Sequence, residues 1–216
     1  MLRAFFLPIS SFLLLALSCG CQQGEMSDRQ HLSGQTMGTT WSLNMVPGPD
    51  GIDSAVLKQR LQARLDQING LMSTYDPESE LSRFNRLSST DWYPVSEDTA
   101  RVIDVSQEIS ALSGGAFDIS IGPLVELWGF GTAERREKIP TEDQVKENLA
   151  RIGYENIQRR RGPPAIRTQV PELQIALSAV AKGYAVDALA KILEQQGASN
   201  YLLEIGGELQ ISGHRG

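Results

Sequence analysis

Cysteine and histidine are nearly absent from these 216 residues, with two of each: Cys19, Cys21, His31 and His214. No C-x-x-C pair, H-E-x-x-H or G-x-x-x-x-G-K-[ST] occurs. A structural zinc site, a zinc-protease helix and a P-loop are therefore unsupported. The two isolated histidines read as surface residues rather than as part of a metal cluster. Basic charge is short as well: 20 Lys and Arg stand against 26 Asp and Glu, for a net charge of -6. That balance argues against broad nucleic-acid binding, which needs a basic face, so no nucleic-acid partner is expected. It leaves room for an anionic ligand, because metals and backbone amides neutralise phosphate locally. Apolar residues make up 41% and charged residues 21%, enough for the packed core of one globular domain, or of part of a larger one.

The longest apolar run lies at the N-terminus. Residues 1–21, MLRAFFLPISSFLLLALSCGC, place Arg3 before an apolar stretch and end in small residues and cysteine. This is the pattern of a secretory signal, too short for a comfortable membrane span. Cys21 after Gly20, or Cys19 after Ser18, marks it as a lipoprotein-type signal with a lipid anchor on one of the two. Residues 22–33 are polar and read as a tether, and residues 34–216 as the folded part.

Within that part, residues 34–46 favour extended structure and read as a strand kinked at glycine. Pro47-Gly48-Pro49-Asp50-Gly51 is a turn. Ile52, Val56, Leu57, Leu61, Leu65, Ile68 and Met72 then recur at helical spacing behind an Asp53 N-cap. Asp76-Pro77 breaks this pattern, and a short helical turn covers 79–84. A helix over 98–112 starts near Ser96 and stops at Gly114-Gly115. Thr141 and Gln144 form a capping box for a helix carrying Val145, Leu149 and Ile152 on one face. Strands are expected at 157–161 and 173–177, with a Gly-Pro-Pro loop after the first. A helix over about 180–196 ends at Gly197, and strands flank Gly206-Gly207. Helices and strands alternate without a regular βαβ period, so the class is α+β.

Three glycine-bearing segments are candidate sites: 37–41 (MGTTW), 114–123 (GGAFDISIGP) and 178–184 (SAVAKGY). The third follows an expected strand and opens a helix, which offers free backbone N–H groups and a positive dipole end to a pyrophosphate, with Lys182 adding charge. Taken singly, each segment also has a plain reading: a glycine stop, and a solvated lysine. Asp118, read as part of a strand, points away from Phe117 and Ile119, into solvent or into a cleft. Tyr75 and Trp41 are aromatics that either stack on a flat ring or belong to the core.

In combination the segments become specific. M-G-T-T-W at 37–41, M-S-T-Y-D-P-x-S-E-L-S-R-F-N at 72–85, G-G-A-F-D-I-S-I-G-P-L-V-x-L-W-G-F-G at 114–131, A-K-G-Y-A-V-D at 181–187 and E-I-G-G-E-L at 204–209 occur in that order. Together they resemble the FAD:protein FMN transferase (ApbE) family, from about residue 34 to Gly216. The resemblance implies an ApbE-like, T-fold-like mixed sheet with packed helices. It implies Mg2+-dependent transfer of FMN from FAD to a threonine of a target flavoprotein, with release of AMP. The acceptor would be a subunit of a membrane redox complex, and the enzyme would sit lipid-anchored on the periplasmic side of a bacterial membrane.

Carried over by position, Met37, Tyr75, Ala116, Phe117, Asp118, Ala176 and Lys182 match FAD-contacting positions, and Ala179 matches one whose carbonyl binds the metal. No catalytic base is assigned. Ala176 departs from the aspartate usual in that family, removing a hydrogen-bond acceptor near the cofactor. Members of the family continue well past the point matching Gly216, so the chain is read as the N-terminal portion of the domain, its C-terminal part missing. The alternative function is an inactive periplasmic flavin-binding or scaffold lipoprotein left by truncation.

Overall fold

The computed structural model describes residues 29–47, 51–132 and 139–213. The signal segment, Cys19, Cys21, most of the tether and His214 lie outside the described residues. Among the described residues no helix is long and apolar enough to cross a membrane.

Strands β1 (Gln30–Thr36) and β2 (Thr39–Val46) form a hairpin rather than one kinked strand. Met37 and Gly38 reverse the chain with φ of 47° and 71°. Gly34 is no kink. A Cβ there would fall 2.5 Å from the Trp41 ring nitrogen, so glycine leaves space for the indole of its cross-strand partner. Gln30–Ser33, polar enough to read as tether, are the first half of β1.

The first helix keeps most of its expected stripe, but Val56 is exposed and Ile52 lies before the helix. α1 (Ser54–Met72) buries Leu57, Leu61, Leu65, Ile68 and Met72. Asp53 Oδ1 accepts from the Ala55 and Val56 N–H groups at 2.8 and 3.1 Å and fixes its start. Each such side chain contributes about 1.5–3 kcal/mol by leaving water. α2 (Glu80–Asn85) is capped by Ser79, and α3 (Glu97–Leu112) by Ser96. α4 (Gly122–Leu127) is a short helix that periodicity did not reveal, starting at the last two residues of the second glycine segment. α5 (Glu142–Leu149) carries the complete Thr141/Gln144 capping box and buries none of its residues.

β3 (Tyr93–Pro94), β4 (Ile157–Arg161) and β5 (Pro164–Thr168) form an antiparallel sheet in the order β3-β5-β4. β5 was not among the expected strands, and its first residue falls in the expected Gly-Pro-Pro loop. Pro164 is its first residue, where a missing N–H does little harm. Residues 173–177 show the reverse error. Leu173, Ile175 and Leu177 are buried in alternation, as in a strand, but among the described residues no strand pairs with them. The Asn85 amide substitutes: its Nδ2 donates to the Ile175 carbonyl at 2.8 Å and its Oδ1 accepts from the Ile175 N–H at 2.9 Å. A single parallel bridge joins Ile121 and Gln174.

α6 (Ser178–Gln195) leads to β6 (Asn200–Ile205) and β7 (Glu208–Ser212). The larger sheet is antiparallel, in the order β1-β2-β6-β7. β2 and β6 are neighbours in space although α1 to α6 separate them in sequence. Trp41 pairs with Ile205, Leu43 with Leu203 and Met45 with Tyr201, all buried. α1 and α6 both contact the strands of this sheet and each other. The α+β class holds, with the strands divided between two antiparallel sheets.

Candidate functional site

Two recesses adjoin at one end of α6, with volumes of about 630 and 470 Å3, and they share Thr74, Tyr75 and Ser178. Met37, Met72 and Lys182 line the first, and Gly122, Glu126, Phe130 and Ala176 the second. The β1–β2 turn, the end of α1, the start of α4 and the start of α6 therefore enclose one cleft.

The start of α6 distinguishes the site. Its N-cap position is Leu177, which has no side-chain cap hydrogen bond, and its first turn holds no acidic residue. α1, α2, α3 and α5 are each capped by Asp, Ser or Thr, while the short α4, behind Ile121, also starts without a side-chain cap. Free N–H groups and a positive dipole end suit an anion. Lys182 adds a cation whose Nζ lies 3.4 Å from Glu208 Oε1 and 3.5 Å from the Gly206 carbonyl. A Cβ on Gly206, at φ 54°, would meet Thr39 Cγ2 at 2.7 Å, so the β6–β7 turn packs directly on β2 beside Lys182.

Met37 lines the first recess in a left-handed conformation, φ 47°, that side chains seldom adopt. Tyr75 is 66% exposed and lies where the recesses meet. Its hydroxyl donates to the Phe130 carbonyl at 3.1 Å. Phe130 is 73% exposed, so two aromatic side chains are available to a flat ring at the cleft. Trp41, the other aromatic considered, is core: it is fully buried and donates to Gln62 Oε1 at 2.9 Å.

Ala176 lines the second recess, and its N–H donates to the Ile119 carbonyl at 2.8 Å. Ala179 is an exposed residue of the first turn of α6 and lines neither recess. Ala116, Phe117 and Asp118 also lie outside both. Phe117 packs against the core. Asp118 is not in a strand. Its Oδ1 accepts from the Ser120 N–H and hydroxyl, both at 2.7 Å, and its Oδ2 accepts from the Tyr154 N–H at 3.0 Å. Its carboxylate therefore ties the 118–120 loop to the chain at Tyr154, an arrangement that neither the solvent reading nor the cleft reading anticipated.

Sequence reasoning singled out neither Thr74, Glu126 nor Phe130 as lining residues, and it named Ser178 only as the first residue of the third candidate segment. The signal for Ser178 was available: a leucine stands where an N-cap Ser, Thr, Asp or Asn would be expected. Glu126 accepts from the Thr132 N–H and hydroxyl at 2.8 and 3.2 Å, holding the segment after α4 against the second recess. Among the described residues no three His, Cys, Asp or Glu side chains cluster as a metal cage.

Behind the cleft, three helices are joined by a polar network. Arg64 of α1 lies 2.7 Å from Asp98 of α3, and the Tyr184 hydroxyl of α6 donates to Asp98 Oδ1 at 2.6 Å. Burial pushes the Asp98 carboxyl up, but hydrogen bonds from Arg64 and Tyr184 outweigh it and hold it below the usual carboxylate range. Burial and the bond to Asp98 push the Tyr184 phenol up to about 12.

Fold and cleft together define an α+β domain with an uncapped helix start opening into its cleft. The comparisons are specific. The ApbE family model matches residues 37–216, and the chain belongs to that family. It is 38% identical over 212 residues to an FAD:protein FMN transferase of Vibrio cholerae, covering 98% of this chain and 61% of that protein. It is 38% identical over 205 residues to the protein of the same description in Escherichia coli K12, covering 91% and 58%. Among solved structures it is similar to flavin transferase ApbE from Vibrio cholerae, with TM-score 0.84 and 39% identity over 87% of this chain and 60% of that one. The apo Pseudomonas stutzeri flavinyl transferase ApbE gives TM-score 0.82 and 32% identity, over 88% and 62%. The chain thus spans about three fifths of the length of these relatives.

Proposed function

We propose that this chain is the FAD-binding portion of an enzyme that transfers FMN from FAD to a threonine of an acceptor flavoprotein. The observation that carries the reading is the uncapped start of α6, with Lys182 behind it, opening into a cleft flanked by Met37 and Tyr75. The diphosphate would lie at the α6 start, and Tyr75 and Phe130 would contact flat rings. In the transfer, the threonine Oγ attacks the phosphorus of the FMN half, the bond to the AMP oxygen breaks, AMP leaves, and the hydroxyl proton passes to solvent. Such chemistry rests mainly on positioning and charge stabilisation.

Magnesium is part of the proposal through the family resemblance. The described residues do not build a side-chain cage for it. Such ions usually keep several waters and bind through substrate phosphates with few protein ligands. Of this chain, only the Ala179 backbone is named for that role, and no step is routed through the ion. Ala116, Phe117 and Asp118 are proposed to support the site by fixing the loop beneath it, with Asp118 bonded to Ser120 and Tyr154. A lipid anchor at Cys21 or Cys19, on the periplasmic side of a bacterial membrane near a membrane redox complex, completes the reading. Its support is the signal-like sequence alone.

Incubating the chain with FAD, Mg2+ and a threonine-containing acceptor domain, then weighing the acceptor, tests transfer. An acceptor heavier by FMN is the expected result. Flavin binding without transfer instead supports the second reading, a flavin-binding lipoprotein lacking transfer activity. Absence of flavin binding overturns both.

A further inference from the structure

We propose that Tyr184 is a positioning residue for the flavin cleft, locking the start of α6 in register against α1 and α3 through Asp98 and Arg64. The inference rests on the reading of the cleft as an FAD site. In its first half, residues 178–185, α6 buries only Ala181 and Ala185, while the larger Val186, Leu189 and Leu193 are buried further along. Alanines let helices approach closely, yet they supply few knobs to fix sliding or rotation. Directional polar contacts can fix what such a face leaves loose, as single buried polar residues do for helix register elsewhere.

The contacts here are directional and mutually satisfied. Arg64 Nη1 lies 2.7 Å from Asp98 Oδ2, while the Tyr184 hydroxyl takes Asp98 Oδ1 at 2.6 Å. Arg64 Nη2 reaches the same hydroxyl at 3.4 Å. Both carboxylate oxygens are used, and the Arg64 and Asp98 side chains are each only 21% exposed. The phenol keeps its proton far above neutrality and so remains a donor to Asp98.

The two linked helices also form the cleft. Met72, Asn69 and Ile68 of α1 line the first recess, as do Ser178, Ala181 and Lys182 of α6. Tyr184 stands two residues beyond Lys182, on the same rigid rod, and a helix advances about 1.5 Å per residue. Slippage at Tyr184 therefore displaces Lys182 and the open N–H groups together. Tyr184 lines neither recess of the cleft, so it acts through the position of α6.

The test compares Tyr184→Phe with Ile103→Val in the full chain. Ile103 is fully buried on α3 and takes no part in the network, so its variant reports general destabilisation. FAD affinity is measured by flavin fluorescence at a temperature where both variants are folded. Amide exchange of residues 178–182 is followed without ligand. Tyr184→Phe should raise the FAD Kd about fivefold and speed exchange in that turn, the scale of effect seen for coupled non-contacting residues. Asp98→Asn should do the same, and the double variant no more than either alone. Ile103→Val should leave both readouts unchanged at an equal or larger loss of thermal stability. Wild-type binding with a Tyr184→Phe Kd within about twofold of it overturns the positioning role, that shift being too small for such coupling. Failure of the wild type to bind FAD overturns the reading of the cleft. In that case unchanged exchange at 178–182 in Tyr184→Phe overturns the clamp separately.

Discussion

α5 and α6 begin in opposite ways. At α5, the Thr141 hydroxyl accepts from the Gln144 N–H at 3.3 Å and the Gln144 side chain accepts from the Thr141 N–H at 2.9 Å, with Glu142 and Asp143 in the first turn. At α6, a buried leucine occupies the cap position and no acid follows. α5 buries none of its residues, while α6 buries seven in its stretch of the core. A helix with little packing depends on its cap, whereas one held by packing can leave its start open. The open start is the one that faces the cleft.

The comparison turns on where backbone N–H groups find their acceptors. The largest effect is expected where a carboxylate already holds them. Asp118 binds the Ser120 and Tyr154 N–H groups and the Ser120 hydroxyl, and Asp118→Ala should lower stability by about 2–3 kcal/mol. Chemical denaturation measures it. A loss under about 0.5 kcal/mol would mean that water replaces the carboxylate without penalty, against the expected cost of stranded donors.

The next effect tests the open donors directly. Ser178→Asp places a negative charge in the first turn of α6. It should raise stability by about 0.3–1 kcal/mol through the helix dipole. The same charge should weaken FAD binding about tenfold, because it competes for the N–H groups and repels the diphosphate. Calorimetric titration and thermal unfolding read the two quantities. Opposite signs mark a ligand site, and weakening of both would place the charge against packing instead.

Local signals in the sequence were legible where a short stretch decides the outcome. The Asp53, Ser96 and Thr141 caps, the stripe from Leu57 to Met72 and the β6–β7 turn all appear as read. The misreadings need partners distant in sequence. The alternation at 173–177 was genuine, but its hydrogen bonds come from the Asn85 side chain and the Ile119 carbonyl rather than from a paired strand. Asp118, flanked by Phe117 and Ile119, was left between solvent and a cleft, and its acceptor role depends on Tyr154, 36 residues away. For the cleft, Met37, Tyr75, Ala176 and Lys182 were found through motif resemblance, and the structure brings them to the two recesses. Ala116, Phe117, Asp118 and Ala179 came from the same source and do not line it. Motif matching locates a neighbourhood in sequence without distinguishing a wall from the loop that supports it.

The capped helix supplies the control. Thr141→Ala removes the capping hydroxyl of α5 and should cost about 1 kcal/mol. FAD affinity should not change, since none of α5 lines either recess. A shift in flavin affinity would join α5 to the cleft and remove the contrast between the two helix starts.

The smallest effect separates the same two regions by pH. The α5 cap contains no titratable group and contributes to neither limb of a pH–stability curve. The network behind α6 contributes to both. Asp98 is held below its usual range by Arg64 and Tyr184, which outweigh burial, so its folded pKa lies under its unfolded one. Its stabilisation is present above the unfolded value, about 3.9, and is lost as pH falls through the lower folded value. Tyr184 is shifted the opposite way, with its phenol near 12. The folded state holds that proton longer, so its contribution is complete below the unfolded value of about 10 and fades as pH rises through the folded one. Asp98→Asn should flatten the acid limb, and Tyr184→Phe should remove one late tyrosinate from the absorbance titration at high pH. Thr141→Ala should lower both limbs equally and leave their slopes unchanged; a slope change there would mean that the cap acts on the charged groups beside it, Glu142 and Asp143 first among them.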